Sequence, residues 1–353
     1  MSSLLNKYAD KGLSGLANIG NTCYLNSCMQ VLSHTYELNH LLEKGEYKKK
    51  LNRLADSVLL LEWDKLRELL WSTNCTVAPY GFVKAVKKIA AIKQRDIFTG
   101  YGQNDVQEFL LFMIDCFHNA LAREVEMHIK GTEQSQRDTL ATKCYTMMKN
   151  MYKKEYSEML TIFYGIHVSD IISLNTKETL SNTPEPFSIL SLSIPSIPTE
   201  AMITIHDCFD LYCKAEPIQW INEQTKEKEQ AERSFSFWSL PEVMIIHLKR
   251  WNNDNTNKNK TNHLVTTPLT GVDFSKYISG YQPENYVYDL FGVCNHSGGT
   301  GGGHYTAYIK NANDKWYECN DTEVKEINSE TIISPRSYCL FYRKKNKTNN
   351  IYT

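Results

Sequence analysis

Gly15-Leu16-Ala17-Asn18-Ile19-Gly20-Asn21-Thr22-Cys23-Tyr24-Leu25-Asn26-Ser27-Cys28-Met29-Gln30-Val31-Leu32 is the stretch on which the reading of this chain turns. Gly20-Asn21 favours a turn, and Asn21 or Thr22 can cap the helix that follows. Leu25, Cys28, Met29 and Leu32 then recur at the i, i+3, i+4, i+7 spacing of a helix that buries one face. Cys28 falls on that face and reads as core. Cys23 falls in the first turn, off the buried stripe, where free N–H groups and the positive end of the helix dipole favour a thiolate. Asn18, on the entering loop, can aim its amide at a developing oxyanion. Helix position alone does not separate a nucleophile from a small packing residue, because structural cysteines outnumber catalytic ones. A histidine with the right neighbours has to come from elsewhere in the chain.

That histidine is His304, in Gly298-Gly299-Thr300-Gly301-Gly302-Gly303-His304-Tyr305-Thr306-Ala307-Tyr308-Ile309. The glycines feed a strand, Asn311-Ala312-Asn313-Asp314 reads as a turn, and Lys315 to Asp321 reads as the return strand. Pairing Lys310 with Lys315 sets His304 beside Asp321 and Tyr305 beside Asn320, and a one-residue slip exchanges them. Either register gives the histidine an amide or carboxylate acceptor to fix its tautomer. A phosphate-binding loop is excluded, since no Gly-Lys-[Ser/Thr] follows and the glycines lead into a strand.

Working outward, 353 residues with 42% hydrophobic content suffice for a sizeable core in one large domain or two smaller ones. The net charge of −1 provides no global field for nucleic acid or an anionic membrane. The start, MSSLLNKYADKG, carries no long apolar run, and no apolar run is long enough to span a bilayer. An intracellular protein is the expectation. The 10 cysteines are scattered, with no C-x-x-C pair, so free thiols are expected.

The first half reads helical. Leu59, Leu60, Leu66, Leu69 and Leu70, then Val106, Phe109, Leu110 and Met113, recur at helical spacing, and 121–160 reads as a charged, Met-rich helix with an exposed face. From about 162, short Ile/Leu/Ser/Thr segments between Pro and Asn turns argue strands, as in Ser188–Ile194, and they resume from Tyr286 to Arg343. Residues 222–235 read as a charged excursion and 252–262 as a polar loop. Helices first and strands later give an α+β class, a helical lobe on a mostly antiparallel sheet.

The two stretches together resemble the Cys and His boxes of the ubiquitin-specific proteases, papain-like cysteine deubiquitinases. The first box matches as Gly15-Leu16-x-Asn18-x-Gly20-Asn21-Thr22-Cys23-Tyr24-x-Asn26-Ser27. The second matches at Tyr288-x-Leu290, His296-Ser297-Gly298, Gly303-His304-Tyr305, Trp316-Tyr317, Asn320-Asp321 and Tyr338-x-Leu340-Phe341-Tyr342. Gly102 to Leu110 resembles the family's Gln-Gln-Asp box with Asn104 in place of the second Gln. Glu185-Pro186-Phe187 and Leu240 to Trp251 resemble its core strands, with Trp251 where Phe is usual.

The resemblance implies a thumb, palm and fingers architecture in one catalytic domain over residues 14–343. The helical thumb would take about 14–160, the β fingers and palm about 161–343, and 1–13 and 344–353 would be flexible tails. It implies Cys23 as nucleophile, His304 as base, Asn320 as third triad member, Asn18 as oxyanion donor and Asp321 as a helper near the oxyanion or the histidine. Gln103, Asp105, Glu108, Gly303 and Tyr305 would bind the substrate, with Asp105 and Glu108 receiving arginines of the ubiquitin tail. The partners implied are ubiquitin and ubiquitinated proteins. A catalytically silent binding module would lack Cys23 or His304, and both are present. A protease for a ubiquitin-like modifier would keep the same chemistry residues. Many relatives hold a structural zinc in the fingers with two Cys-x-x-Cys pairs. Here the corresponding stretches, 171–178 and 221–228, have neither Cys nor His, so no metal and no cofactor are expected.

Overall fold

Periodicity switches from helical to alternating near residue 162, and the structure switches with it, from α-helix ending at Phe163 to strand starting at Gly165. The computed structural model describes residues 6–196, 202–221, 226–251, 260–299 and 302–345. Among them the α-helices are α1 Cys23–Ser33, α2 Tyr36–Glu43, α3 Asp56–Ser72, α4 Tyr80–Ile92, α5 Val106–Leu121, α6 Gln136–Glu155, α7 Glu158–Phe163 and α8 Ile205–Cys213. The strands are β1 Gly15–Leu16, β2 Thr76–Val77, β3 Gly165–Ser173, β4 Thr179–Phe187, β5 Ile189–Ser193, β6 Ile203–Thr204, β7 Glu216–Ile221 and β8 Lys228–Ser239. They continue as β9 Val243–Lys249, β10 Val265–Thr266, β11 Val272–Asp273, β12 Val287–Gly299, β13 Gly302–Lys310, β14 Trp316–Asn320, β15 Glu323–Ile327 and β16 Ser337–Lys344.

The palm is one large sheet in the order β15-β14-β13-β12-β16-β9-β5, with β11 paired to β12. Its pairs are antiparallel except β5 with β9. The fingers are a second sheet, β4-β3-β8-β7, antiparallel throughout. The thumb is helical, and its core joins Leu25, Met29, Trp63, Phe109 and Phe117 to the near face of the palm at Cys294, Ala307 and Phe341. A second core, with Leu192, Phe209, Phe274 and Tyr288, covers the other face.

Four expectations need correction. The face-burying pattern at 25–32 predicted an amphipathic α1, yet all of Cys23–Ser33 is buried. The helix is enclosed between α5 on one side and β12 and β13 on the other, so its polar residues Asn26, Ser27 and Gln30 are buried as well. Residues 6–13, expected as a loose tail, are packed: Tyr8 stacks on Tyr36 at 4.6 Å, and Asn311 Nδ2 donates to Lys11 O at 2.8 Å. The charged excursion at 222–235 becomes strand from Lys228, because both faces of the fingers hairpin are wet enough for alternating charged side chains. Of 121–160, only Gln136–Glu155 and Glu158–Phe163 are helical; α6 buries little beyond Ala141 and Cys144. The other tail ends, 1–5 and 346–353, and most of the polar loop at 252–262 lie outside the described residues.

Strand pairing reaches into both stretches where a zinc clamp would sit: Ile171 pairs Arg233, Ile172 pairs Glu232, and Ile221 pairs Lys228, while 222–225 lie outside the described residues. Elemental analysis of the purified protein is expected to give well under one zinc per chain, and a chelator to leave the melting temperature unchanged. Stoichiometric zinc in tetrahedral sulfur coordination contradicts this.

Burial also sets an acid limit. It lowers the pKa values of His34 and His296 to about 4, with the Lys260 charge adding to the effect at His296. The unfolded chain protonates these residues near pH 6.5 while the fold keeps them neutral. Their contribution is therefore complete above about pH 6.5 and falls by about 1.4 kcal/mol per histidine per pH unit down to about 4. Denaturant unfolding at pH 7 and pH 5 is expected to show a loss of about 2 kcal/mol for each, and His34→Gln should flatten the slope by one histidine's share.

Candidate active site

Two left-handed residues in succession, Gly20 at φ 109° and Asn21 at φ 54°, swing the chain into α1. Glycine and asparagine are the types that tolerate this region. Thr22 occupies the cap position but makes no side-chain cap bond to the helix; its hydroxyl accepts instead from Ile19 N at 3.0 Å. Asn18 turns its oxygen into this loop, accepting from Gly20 N at 3.2 Å and Thr22 N at 3.1 Å. Its NH2 group therefore faces outward.

Cys23 is the first residue of α1 and only 4% exposed. Burial pushes its thiol up, and the Asp321 carboxylate adds to the push. The backbone N–H groups of Tyr305, Tyr24 and Cys23 itself act in the opposite direction. The net direction is upward, against the pull of the helix start. The Tyr305 N–H bond also sets Cys23 against β13 one residue beyond His304.

His304 Nε2 lies 2.7 Å from Asn320 Oδ1. An amide oxygen only accepts, so Nε2 carries the proton and Nδ1 of the neutral ring is a free acceptor. The register that achieves this is the one-residue slip, which brings His304 to Asn320. Lys310 pairs Trp316 rather than Lys315. Asp314 adopts φ 64°, Asp314 N donates to Asn311 O, and Asn311 N donates to Lys315 O. The hairpin thus closes on a three-residue loop, which Asp allows because it tolerates the left-handed region.

Asp321, at φ 49°, accepts from Asn26 Nδ2 at 2.7 Å and Asn18 Nδ2 at 3.0 Å, and its backbone carbonyl accepts from Leu16 N at 2.7 Å. Of the two places expected for its carboxylate, it takes the Asn18 side. The approach is close enough that a Cβ at Gly15 would sit 2.2 Å from Thr322 O. Asn26 belongs to the first box, where its sequence position alone signals no role. Three residues after Cys23 and nearly one turn along, it is buried and anchors Asp321 to the helix.

The expected substrate residues divide. Asp105 caps α5, accepting from Gln107 N at 2.7 Å and Glu108 N at 3.2 Å, while its second oxygen takes the Tyr338 hydroxyl at 2.5 Å. Both oxygens are engaged within the chain, unlike an open arginine receptor. Glu108 is exposed and lines a cavity of about 490 Å³ with Arg95, Gln107, Phe112, Asp115 and Tyr164. The Tyr305 ring is buried against His296 at 4.6 Å, which leaves its backbone rather than its side chain toward Cys23. Gln103 bonds Gly303 twice, accepting from its N–H at 2.8 Å and donating to its carbonyl at 2.9 Å. Asn104, the departure from the box, donates to the Tyr24 hydroxyl.

Sequence reasoning also passed over Lys260. Its Nζ donates to His296 O at 2.6 Å and Nδ1 at 2.8 Å, and burial lowers its pKa to about 8. The His296 ring lies directly beneath Gly303, where a Cβ would meet Nε2 at 2.2 Å. Lys260 stands at the end of an Asn/Lys-rich run and carries no local signal. No group of three or more His, Cys, Asp or Glu among the described residues is arranged to hold a metal ion.

The ubiquitin carboxyl-terminal hydrolase family model matches residues 14–342. Ubiquitin carboxyl-terminal hydrolase 2 of Bos taurus is 30% identical over 347 residues, covering 96% of this chain and 56% of the relative. The chain thus spans about half the length of that relative. A probable ubiquitin carboxyl-terminal hydrolase of Acanthamoeba polyphaga mimivirus is 28% identical, covering 94% of this chain and 90% of the relative. Among solved structures, the SAGA Ubp8/Sgf11/Sus1/Sgf73 DUB module bound to ubiquitin aldehyde superposes with a TM-score of 0.72 at 24% identity, covering 96% of this chain and 71% of the other. That likeness establishes the papain-like thumb, palm and fingers fold. With the family model spanning both boxes and the palm between them, this chain belongs to the ubiquitin carboxyl-terminal hydrolase family.

Proposed function

We propose that residues 14–343 form one catalytic domain of a thiol-dependent deubiquitinase, which hydrolyses the bond at the C-terminal glycine of ubiquitin. The observation that carries the reading is the His304 Nε2–Asn320 Oδ1 bond at 2.7 Å, which leaves Nδ1 as acceptor on the strand that backs Cys23. Cys23 gives its proton to His304 Nδ1 as Sγ attacks the glycine carbonyl. The outward NH2 of Asn18, held by Asp321, donates to the oxyanion of the tetrahedral intermediate. Collapse breaks the C–N bond, and imidazolium His304 protonates the departing amine, leaving an acyl thioester on Cys23. Water then loses a proton to His304 and attacks the thioester, releasing the ubiquitin carboxylate and the thiol.

Ubiquitin and ubiquitinated proteins are the partners of this reading, with Glu108 and its cavity positioned for basic residues of an extended tail. An intracellular site of action is in keeping with free thiols at every cysteine. Among the described residues no helix is long and apolar enough to cross a membrane. The test is hydrolysis of a ubiquitin C-terminal fluorogenic amide beside a matched ubiquitin-like substrate. Turnover of the ubiquitin-like substrate alone assigns the chain to another modifier.

Asn320 orients the base without carrying charge, so Asn320→Ala is expected to lower turnover by about tenfold to a hundredfold, less than removing the base itself. A wild-type rate in Asn320→Ala contradicts the assigned role.

A further inference from the structure

β13 pairs with β14 only from Ala307 to Lys310. Toward Gly302, β14 has ended, and the edge of β13 that faced it is open on the thumb side. In a strand, the N–H groups of residues two apart point to the same edge. The Tyr305 N–H on this edge bonds Cys23, and two residues earlier the Gly303 N–H and carbonyl are both held by Gln103, at 2.8 and 2.9 Å. The Gln103 side chain presents an acceptor and a donor side by side, as the backbone of an incoming strand does. It fills one rung of a ladder that stops beside the nucleophile.

We propose that Gln103 is a peptide-mimicking latch, and that the extended C-terminal tail of the substrate takes over its two hydrogen bonds on Gly303 as the tail is added to the β13 edge. This inference rests on the deubiquitinase reading and concerns how the same site is filled. Two features of the edge fit this occupant. A chain paired at Gly303 is led two residues further to the Tyr305 N–H and Cys23, so its terminal carbonyl arrives at the thiol. The edge has no side chains at Gly302 and Gly303 to obstruct a backbone approach, and His296 beneath Gly303 keeps that position free of a Cβ.

Gln103 can leave without unfolding its surroundings. It and Gly303 are partly or fully exposed, and its segment is anchored independently on both sides. Asn21 Nδ2 donates to Tyr101 O at 2.8 Å, Lys87 Nζ sits 3.3 Å from the Tyr101 ring centroid, and Asp105 caps α5. Only the side-chain torsions of Gln103 need change. The latch lowers the fraction of molecules with a free rung, and the apparent affinity for the tail falls by that fraction.

Gln103→Met, similar in length and without the amide, tests this. Three quantities are read in wild type and variant: kcat/KM on a ubiquitin C-terminal amide, labelling of Cys23 by chloroacetamide, and hydrogen exchange at the Gly303 amide. The expected result is a kcat/KM higher by about threefold to tenfold through a lower KM. It comes with faster exchange at Gly303 and an unchanged chloroacetamide rate, since the small reagent needs no rung. A kcat/KM that is unchanged or lower while Gly303 exchange rises overturns the latch and makes Gln103 a supporting contact. An active wild type with Gly303 exchange unaffected by the substitution overturns it too. A wild type labelled by chloroacetamide but inert toward ubiquitin overturns the deubiquitinase reading and the latch with it.

Discussion

Cys23→Ala is expected to abolish hydrolysis of a ubiquitin C-terminal amide, a loss of at least about 10⁴-fold, while ubiquitin binding is retained. The thiol is 4% exposed at the first position of α1, so the change removes one atom at the floor of the cleft and leaves the binding surface in place. His304→Ala should cost a similar factor, because burial pushes the Cys23 thiol up and its deprotonation depends on the base. Cys28 supplies the contrast. It is fully buried five residues along the same helix, its Sγ 3.7 Å from Val106 O. Cys28→Ala should lower stability by about 1 kcal/mol or more and leave the chemistry intact. A stably folded Cys28→Ala protein without activity, beside an active Cys23→Ala protein, would falsify the assignment of the nucleophile.

Asp321→Ala should have the largest effect after loss of the Cys23–His304 pair itself. Its carboxylate holds both the outward amide of Asn18 and the buried amide of Asn26. Without it, Asn18 loses its fixed direction, and losing one oriented oxyanion donor costs about 10²- to 10³-fold in kcat. KM should change little, since neither group is proposed to hold the ground state. Asn26, already with an orphaned Oδ1, would keep only its long bonds to Leu16 O and Ala17 O, so a stability loss of about 1–3 kcal/mol is expected as well. Asp321→Asn separates the two effects, since one oxygen can keep Asn26 while the other position no longer accepts from Asn18. Wild-type kcat in a folded Asp321→Ala protein contradicts the arrangement.

The parts of this site legible in sequence were those set by local spacing. Cys23 falls at a helix start because Gly20-Asn21 can turn there and the apolar period begins at Leu25. His304 and Asn320 meet because a glycine run, a strand, a turn and a return strand lie in that order. What could not be read depended on neighbours far along the chain. The burial of α1 on all sides is completed, opposite α5, by β12 and β13, more than 250 residues later in sequence. The hairpin register turned on Asp314 taking a left-handed conformation that its type permits and does not require. Asp105 reads as a free carboxylate until Tyr338, from the last strand of the palm, occupies its second oxygen. Lys260 and His296 are joined only by the fold.

In the proposed reaction Cys23 forms the covalent bond to the terminal glycine of ubiquitin. Incubation with a ubiquitin bearing a C-terminal electrophile, followed by intact mass measurement and peptide mapping, tests it directly. The expected result is one ubiquitin per chain, attached within the peptide carrying Cys23, and none on Cys23→Ala. Attachment at another thiol, the exposed Cys75 above all, or no adduct on the folded wild-type protein, contradicts it.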